Sequence, residues 1–187
     1  MSLSLVSASH LGFRPLTAAD LQKLQVEQFR HDETYHREIA RLPVQRRLTH
    51  MTLHFGKYCG RLFDNKNDEQ QTIADIFAIT LSSANILGFD LTPLRNSNHE
   101  SLARNEFVTA LVVAMGKMSA ACEKLDHLED YPFKQVLIEG VHQISQATLA
   151  FAASQSWDLS SIVVNRLQSV RRKAFLPDRF VESERGG

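Results

Sequence analysis

A segment that occurs twice constrains this chain more than any other feature. Residues His50 to Leu91 (HMTLHFGKYCGRLF…TIADIFAITLSSANILGFDL) are echoed by Ala110 to Leu159 (ALVVAMGKMSAACE…VLIEGVHQISQATLAFAASQSWDL). The first halves align on Gly56-Lys57 with Gly116-Lys117, and the second halves on Phe89-Asp90-Leu91 with Trp157-Asp158-Leu159. Each copy reads as a helical hairpin. One hairpin cannot bury its own apolar face, whereas two related by an approximate twofold can bury each other and enclose a site.

The periodicity within the copies supports helices. Leu48, Thr52, Phe55, Cys59 and Leu62 recur at spacings of four and three, as do Ile73, Ile76, Phe77, Thr80, Ala84 and Leu87. In the second copy Phe107, Leu111, Met115, Met118, Cys122 and Leu125 form one stripe, and Phe133, Leu137, Val141, Ile144, Thr148 and Phe151 the other. Pro43 and Pro132 suit helix starts, Gly88 suits a helix end, and the Asp64 to Asp68 run has the composition of a loop. Ahead of the copies, Thr17 followed by Asp20 resembles a capping box. It opens a polar helix running to about Arg41, of which one narrow face packs. After the copies, Asp158 starts a last helix ending in the cations Arg171, Arg172 and Lys173. No segment alternates with period two. The expectation is one all-α domain of five or six helices: 16–42 an N-terminal helix, 44–95 the first copy, 100–175 the second, with 1–15 and 177–187 as flexible ends.

At 187 residues the chain is long enough to bury a real core. Lys plus Arg and Asp plus Glu are both 21, so no overall charge draws it to nucleic acid or an anionic membrane. No apolar run reaches the length of about 20 residues that spans a bilayer. The start lacks a basic segment followed by a long apolar core, so a cytoplasmic location is expected. Cys59 and Cys122 fall on apolar stripes without metal-type spacing, and read as buried thiols of a reducing compartment.

Chemistry has three candidate locations. Glu123, Asp126, His127 and Asp130 share one helical face if that helix persists. Glu139, His142, Gln143 and Gln146 repeat the spacing on the next helix, expected to be central, where a polar stripe is costly. Carboxylates and imidazole offered by two facing helices would suit Mg²⁺, or Mn²⁺, bound together with substrate phosphates. The alternative is that both stripes are solvated faces, which every amphipathic helix has. The third location is in the first copy, where the polar line is Gln71, Asp75, Ala78, Ser82 and Asn85. A lone carboxylate among Ile, Phe and Ala needs a partner. His54, Lys57 and Arg61 are the candidates, either as a structural ion pair or, for Lys57 and Arg61, as phosphate ligands. The arginine runs 41, 46, 47 and 166, 171, 172 read as solvated helix ends.

Helix, short acidic loop, helix with a polar line and a small-aromatic-Asp-Leu boundary together resemble the all-α nucleotide pyrophosphohydrolases of the MazG-like superfamily. The stretch from Ala74-Asp75-Ile76 through Gly88-Phe89-Asp90-Leu91 is nearest to them. In that family an E-E-x-x-E run and an E-x-x-D on the next helix bind Mg²⁺, which orients a nucleoside triphosphate for hydrolysis to monophosphate and pyrophosphate. Asp75 matches the Asp of E-x-x-D, with Thr72 at the Glu position and Lys57-Tyr58-x-x-Arg61 near where acids belong. In the second copy Glu139 and His142 each stand one residue early, and Glu123 and Asp126 fall near the first acidic run.

The resemblance implies two alternatives. One is a divergent pyrophosphohydrolase in which Glu123 and Glu139 are catalytic, Glu123, Asp126, Glu139, His142 and Asp75 hold Mg²⁺, and Lys57, Arg61 or Lys117 neutralise phosphate. The other is a catalytically inactive protein of the same fold that binds a nucleotide or a protein. Because family members work as dimers or larger assemblies, a fused tandem copy would imitate a dimer. Self-association through the Thr17 to Arg41 helix is a further expectation.

Overall fold

Thr17 opens the first helix as its sequence predicts. Its hydroxyl accepts from the Asp20 amide at 3.1 Å while the Asp20 carboxylate accepts from the Thr17 amide at 2.8 Å, satisfying two amides that the helix itself leaves free. The computed structural model describes residues 16–64, 68–92 and 102–173. The expected flexible ends at 1–15 and 177–187, the middle of the 64–68 loop and the junction between the two expected copies at 93–101 lie outside the described residues.

Among the described residues there are seven helices and no strand: α1 (Ala18–Tyr35), α2 (Arg37–Ala40), α3 (Val44–Leu62), α4 (Glu69–Leu87), α5 (Arg104–Asp126), α6 (Phe133–Ser154) and α7 (Leu159–Lys173). The all-α expectation holds. The count exceeds five or six because the N-terminal helix breaks at His36, whose backbone leaves the helical region at φ −129°, ψ 39°. The break places the His36 ring 5.3 Å from that of His31. Asp68 caps α4 by accepting from the Gln71 amide at 3.1 Å. Gly88 ends α4 at φ 72°, in the left-handed region that only glycine enters without cost.

The four long central helices pack as a square, α3 on α4, α5 on α6, α3 on α5 and α4 on α6. Phe55, Phe77, Phe107 and Leu111 are fully buried between them, and Phe107 stacks on Phe151 with ring centroids 4.9 Å apart. Each side chain of this size contributes about 1.5–3 kcal/mol on burial. Every residue of the two first-copy stripes is buried, as are Phe107, Leu111, Met118, Cys122 and Leu137 to Phe151 of the second. Both cysteines are free and buried, and burial pushes the Cys59 thiol pKa up. The bundle closes most tightly at Gly140, where an added Cβ would lie 2.5 Å from Cγ of Met118.

Helix α4 is the hub, because α1 and α7 also pack on it. Its polar line supplies the attachment points. The Gln25 side chain on α1 donates to the Phe89 carbonyl at 2.7 Å and accepts from the Leu91 amide at 3.2 Å. Asn85 donates to the Gln25 carbonyl at 3.0 Å, Ser82 donates to Asp32 at 2.5 Å, and Asp75 receives Arg166 of α7. Among the described residues no helix is long and apolar enough to cross a membrane.

Candidate functional site

The chemistry-bearing residues gather where α1 and α7 cover α4. A cleft of about 310 Å³ opens there between α1, α2, α3, α4 and α7, within the size range of small-molecule sites. Asp75, Ala78, Ser82 and Asn85 form its floor, which is the polar line of the first copy. Met51, Ile79, Leu167 and Val170 give apolar wall, and Phe29 stands at the side, 53% exposed.

The α3 wall follows from helical spacing. Arg47, His50, His54 and Lys57 lie three, four and three residues apart, hence on one face, and all line the cleft. Lys57 Nζ lies 3.4 Å from Nδ1 of His54 and 4.5 Å over the Tyr58 ring. Burial lowers the Lys57 pKa, and the nearby Arg61 lowers it further. Burial also lowers that of His54 to about 4, with Lys57 the next cause. Neither Lys57 nor Arg47 has a salt bridge to a described carboxylate, and Nε of Arg47 is buried without a hydrogen-bond partner. Asp75 acts on Lys57 from the floor and raises its pKa, but its carboxylate is held by two arginines, so Arg47 and Lys57 leave this wall with positive charge that suits an anion.

The floor is neutralised. Asp75, 5% exposed, accepts from Arg166 through Nε at 2.5 Å and Nη2 at 3.1 Å, and from Arg61 Nη1 at 3.2 Å. This two-pronged arginine contact is the strong, directional form of the charge-assisted bond. The Arg61 half of it was among the partners expected from the sequence. Arg166 was read there as a solvated helix end, and is instead drawn inward by Asp75.

The opposite wall is α1. Asp32 accepts from Ser82 and, at 2.8 Å, from Gln28. Burial raises the Asp32 pKa, and these two hydrogen bonds only partly counter it. His31 is buried, and its pKa falls to about 4 through burial first and then the neighbouring His36 and Arg171. At neutral pH His31 and His54 are therefore uncharged.

The residues expected to hold Mg²⁺ lie elsewhere. Glu123 and Asp126 are exposed on α5, which ends at Asp126 so that His127 and Asp130 leave its face. Glu139 is exposed on α6 and accepts from Gln135 at 2.9 Å. His142 is half-buried and stacks on Phe89, with centroids 4.8 Å apart. Helix α6 is central, as expected, packing on α5 and α4, but α1 and α7 pack on α4 instead of covering the outer face of α6, so Glu139 and Gln143 stay exposed. The stripe lines only a shallow hollow with a single helical wall. Lys117 is exposed on α5. Among the described residues no three His, Cys, Asp or Glu side chains are grouped to hold a metal ion. Asp75, with both oxygens engaged by guanidinium groups, does not fit the role of a metal ligand.

Arg47, Arg166, Gln28 and His31 escaped the sequence reading as site residues. The signal for Arg47 was its register with His50, His54 and Lys57, and for Arg166 its place three residues after Val163 and one before Leu167, both buried. No protein-family model, no curated protein and no solved structure matches this chain.

Proposed function

We propose that this chain is a MazG-like helical protein that has kept the fold and lost the hydrolytic metal site, and that it binds a nucleotide by its phosphate in the cleft without a metal ion. The state of Asp75 carries this reading. It occupies the position of the Asp in E-x-x-D, where the family would use it for Mg²⁺, yet here Arg166 and Arg61 take both its oxygens. Near the place of the first acidic run the chain has Lys57 and Arg61. Cations fixed in the protein thus stand where the family would have acids and a metal. The packing of α3 on α5 and α4 on α6 pairs the matching helices of the two copies, as a tandem pair of hairpins would.

In this reading Lys57 and Arg47 neutralise the phosphate, Arg61 and Arg166 add a net positive charge once Asp75 is subtracted, and the apolar wall takes the rest of the ligand. Charge-assisted hydrogen bonds of this kind contribute about 1.5–3 kcal/mol each. The test is a thermal-shift titration of the full chain with a nucleotide set in EDTA, because ligand binding to the native state raises Tm by mass action. A shift in EDTA that shrinks in Lys57→Ala supports the reading. A shift seen only with Mg²⁺ or Mn²⁺, accompanied by pyrophosphate release, would overturn it in favour of the divergent hydrolase.

A further inference from the structure

The α1 end of the cleft contains polar atoms that the fold leaves without partners. Gln28 and His31 are 3% and 2% exposed, both line the cleft, and Oε1 of Gln28 and Nδ1 of His31 have no hydrogen-bond partner. The orientation of the Gln28 amide is fixed, because its Nε2 donates to the Asp32 carboxylate at 2.8 Å and a carboxylate can only accept. The free atom is therefore an acceptor. Buried polar groups are almost always paired, and an orphaned one costs about 1–3 kcal/mol. Two orphaned atoms in residues three apart on α1, both lining one cleft, mark a place where something else completes the bonding.

What completes Gln28 Oε1 must donate a hydrogen bond, whereas Nδ1 of the neutral His31 accepts or donates according to its tautomer. Asp32 adds two more acceptor oxygens, each already receiving one bond and each with a lone pair left. Charge alone does not select an ammonium group, since Arg47 lines the same cleft as Asp32 and Glu33, and Arg171 lies close enough to His31 to lower its pKa. Neutral hydroxyls fit better. At the α3 side Arg47 Nε is the converse orphan, a donor lacking an acceptor. Donors are missing on one wall and an acceptor on the other.

We infer that the α1 wall, through Gln28, His31 and Asp32, reads the sugar hydroxyls of a phosphorylated ribose-type ligand whose phosphate meets Arg47 and Lys57. This rests on the phosphate-binding reading above and extends it, because it makes the cleft selective for ribose over deoxyribose. Gln28 and Asp32 act here as specificity residues. A site built to bond a hydroxyl rejects an analogue that lacks it, since the buried acceptor is then left unpaired.

The experiment is calorimetric titration of the full chain in EDTA with a ribonucleoside monophosphate, its 2′-deoxy and 2′,3′-dideoxy analogues, and ribose 5-phosphate. Wild type should lose about tenfold in affinity for each hydroxyl removed, the fold-change that corresponds to a neutral hydrogen bond with a buried partner. In Gln28→Met, which keeps the volume and removes the acceptor, that discrimination should shrink. The wild-type ligand series stands by itself if the variant fails to fold. Equal affinity for ribose and dideoxyribose compounds, with the dependence on Lys57 intact, would mean that an ordered water satisfies Gln28. It would overturn this inference while leaving phosphate binding in place. Absence of binding by every phosphate compound would overturn both.

Discussion

Two polar lines, one on α4 and one on α6, meet opposite fates. On α4, Asp75, Ser82 and Asn85 are covered by α1 and α7 and become the floor of a cleft. On α6, Glu139, His142 and Gln143 remain on an open face. In sequence the α6 line looks the better site, with a glutamate and a histidine, whereas the α4 line has a single charge. What separates them is a second layer. These three residues each have a counterpart on another helix: Arg166 for Asp75, Asp32 for Ser82, the Gln25 backbone for Asn85. A polar stripe becomes a site when the chain supplies something to cover it.

The sharpest way to break this comparison is to remove a charge from each line. Asp75→Ala leaves Arg166 and Arg61 without their acid, and should cost about 3 kcal/mol, the low end for breaking a buried pair because both arginines keep some solvent contact. Glu139→Gln should stay within about 0.5 kcal/mol. Urea denaturation of the two variants measures both, and equal losses would erase the distinction. Helices α5 and α6 are nonetheless closely packed. Gly140→Val places atoms against Met118, and should cost about 1–3 kcal/mol by the same measurement, whereas Gly60→Ala, with open space at its Cβ, should be neutral or slightly stabilising.

The serines offer a smaller contrast. Ser82→Ala removes a donor to a carboxylate and should cost about 1.5 kcal/mol. Ser145 on α6 is as deeply buried but its hydroxyl is unpartnered, so Ser145→Ala should be neutral or stabilising. Thermal melts of the pair decide it.

Acid should act through the covered line as well. His31 and His54 titrate near 4 in the fold, against the ordinary value of about 6.5 for an unfolded chain. Between those values the unfolded state binds more protons, so stability is full above pH 6.5 and falls as pH drops towards 4. Asp32, with its raised pKa, works in the opposite direction and trims the effect. Tm followed from pH 7 to 4.5 should drop by a few degrees, and less in a His31→Phe, His54→Gln variant. His142 is less buried, and His142→Gln should flatten the curve least.

Much of the bundle was legible in the sequence, because apolar spacing and caps are local signals. The stripes ending at Leu62, Leu87 and Phe151, the Thr17 cap and the stop at Gly88 all stand where the residues place them. The Asp75 to Arg61 pair was also within reach, since a carboxylate among apolar neighbours demands a cation. What escaped was tertiary. Nothing local to Arg166 says that α7 will lie on α4 rather than on α6, and nothing local to Glu139 says that its face of α6 will be left open. No turn signal marks the break at His36, which sets an aromatic ring beside His31.

The central claim is that the cleft binds phosphate with protein cations in place of a metal. Its most direct test is one calorimetric titration of a nucleoside monophosphate into the full chain, run in EDTA and again in Mg²⁺, on wild type, Lys57→Ala and Glu139→Gln. The account predicts the same affinity in both buffers, a loss of tenfold or more in Lys57→Ala, and no change in Glu139→Gln. Binding that requires Mg²⁺ and disappears in Glu139→Gln would contradict it.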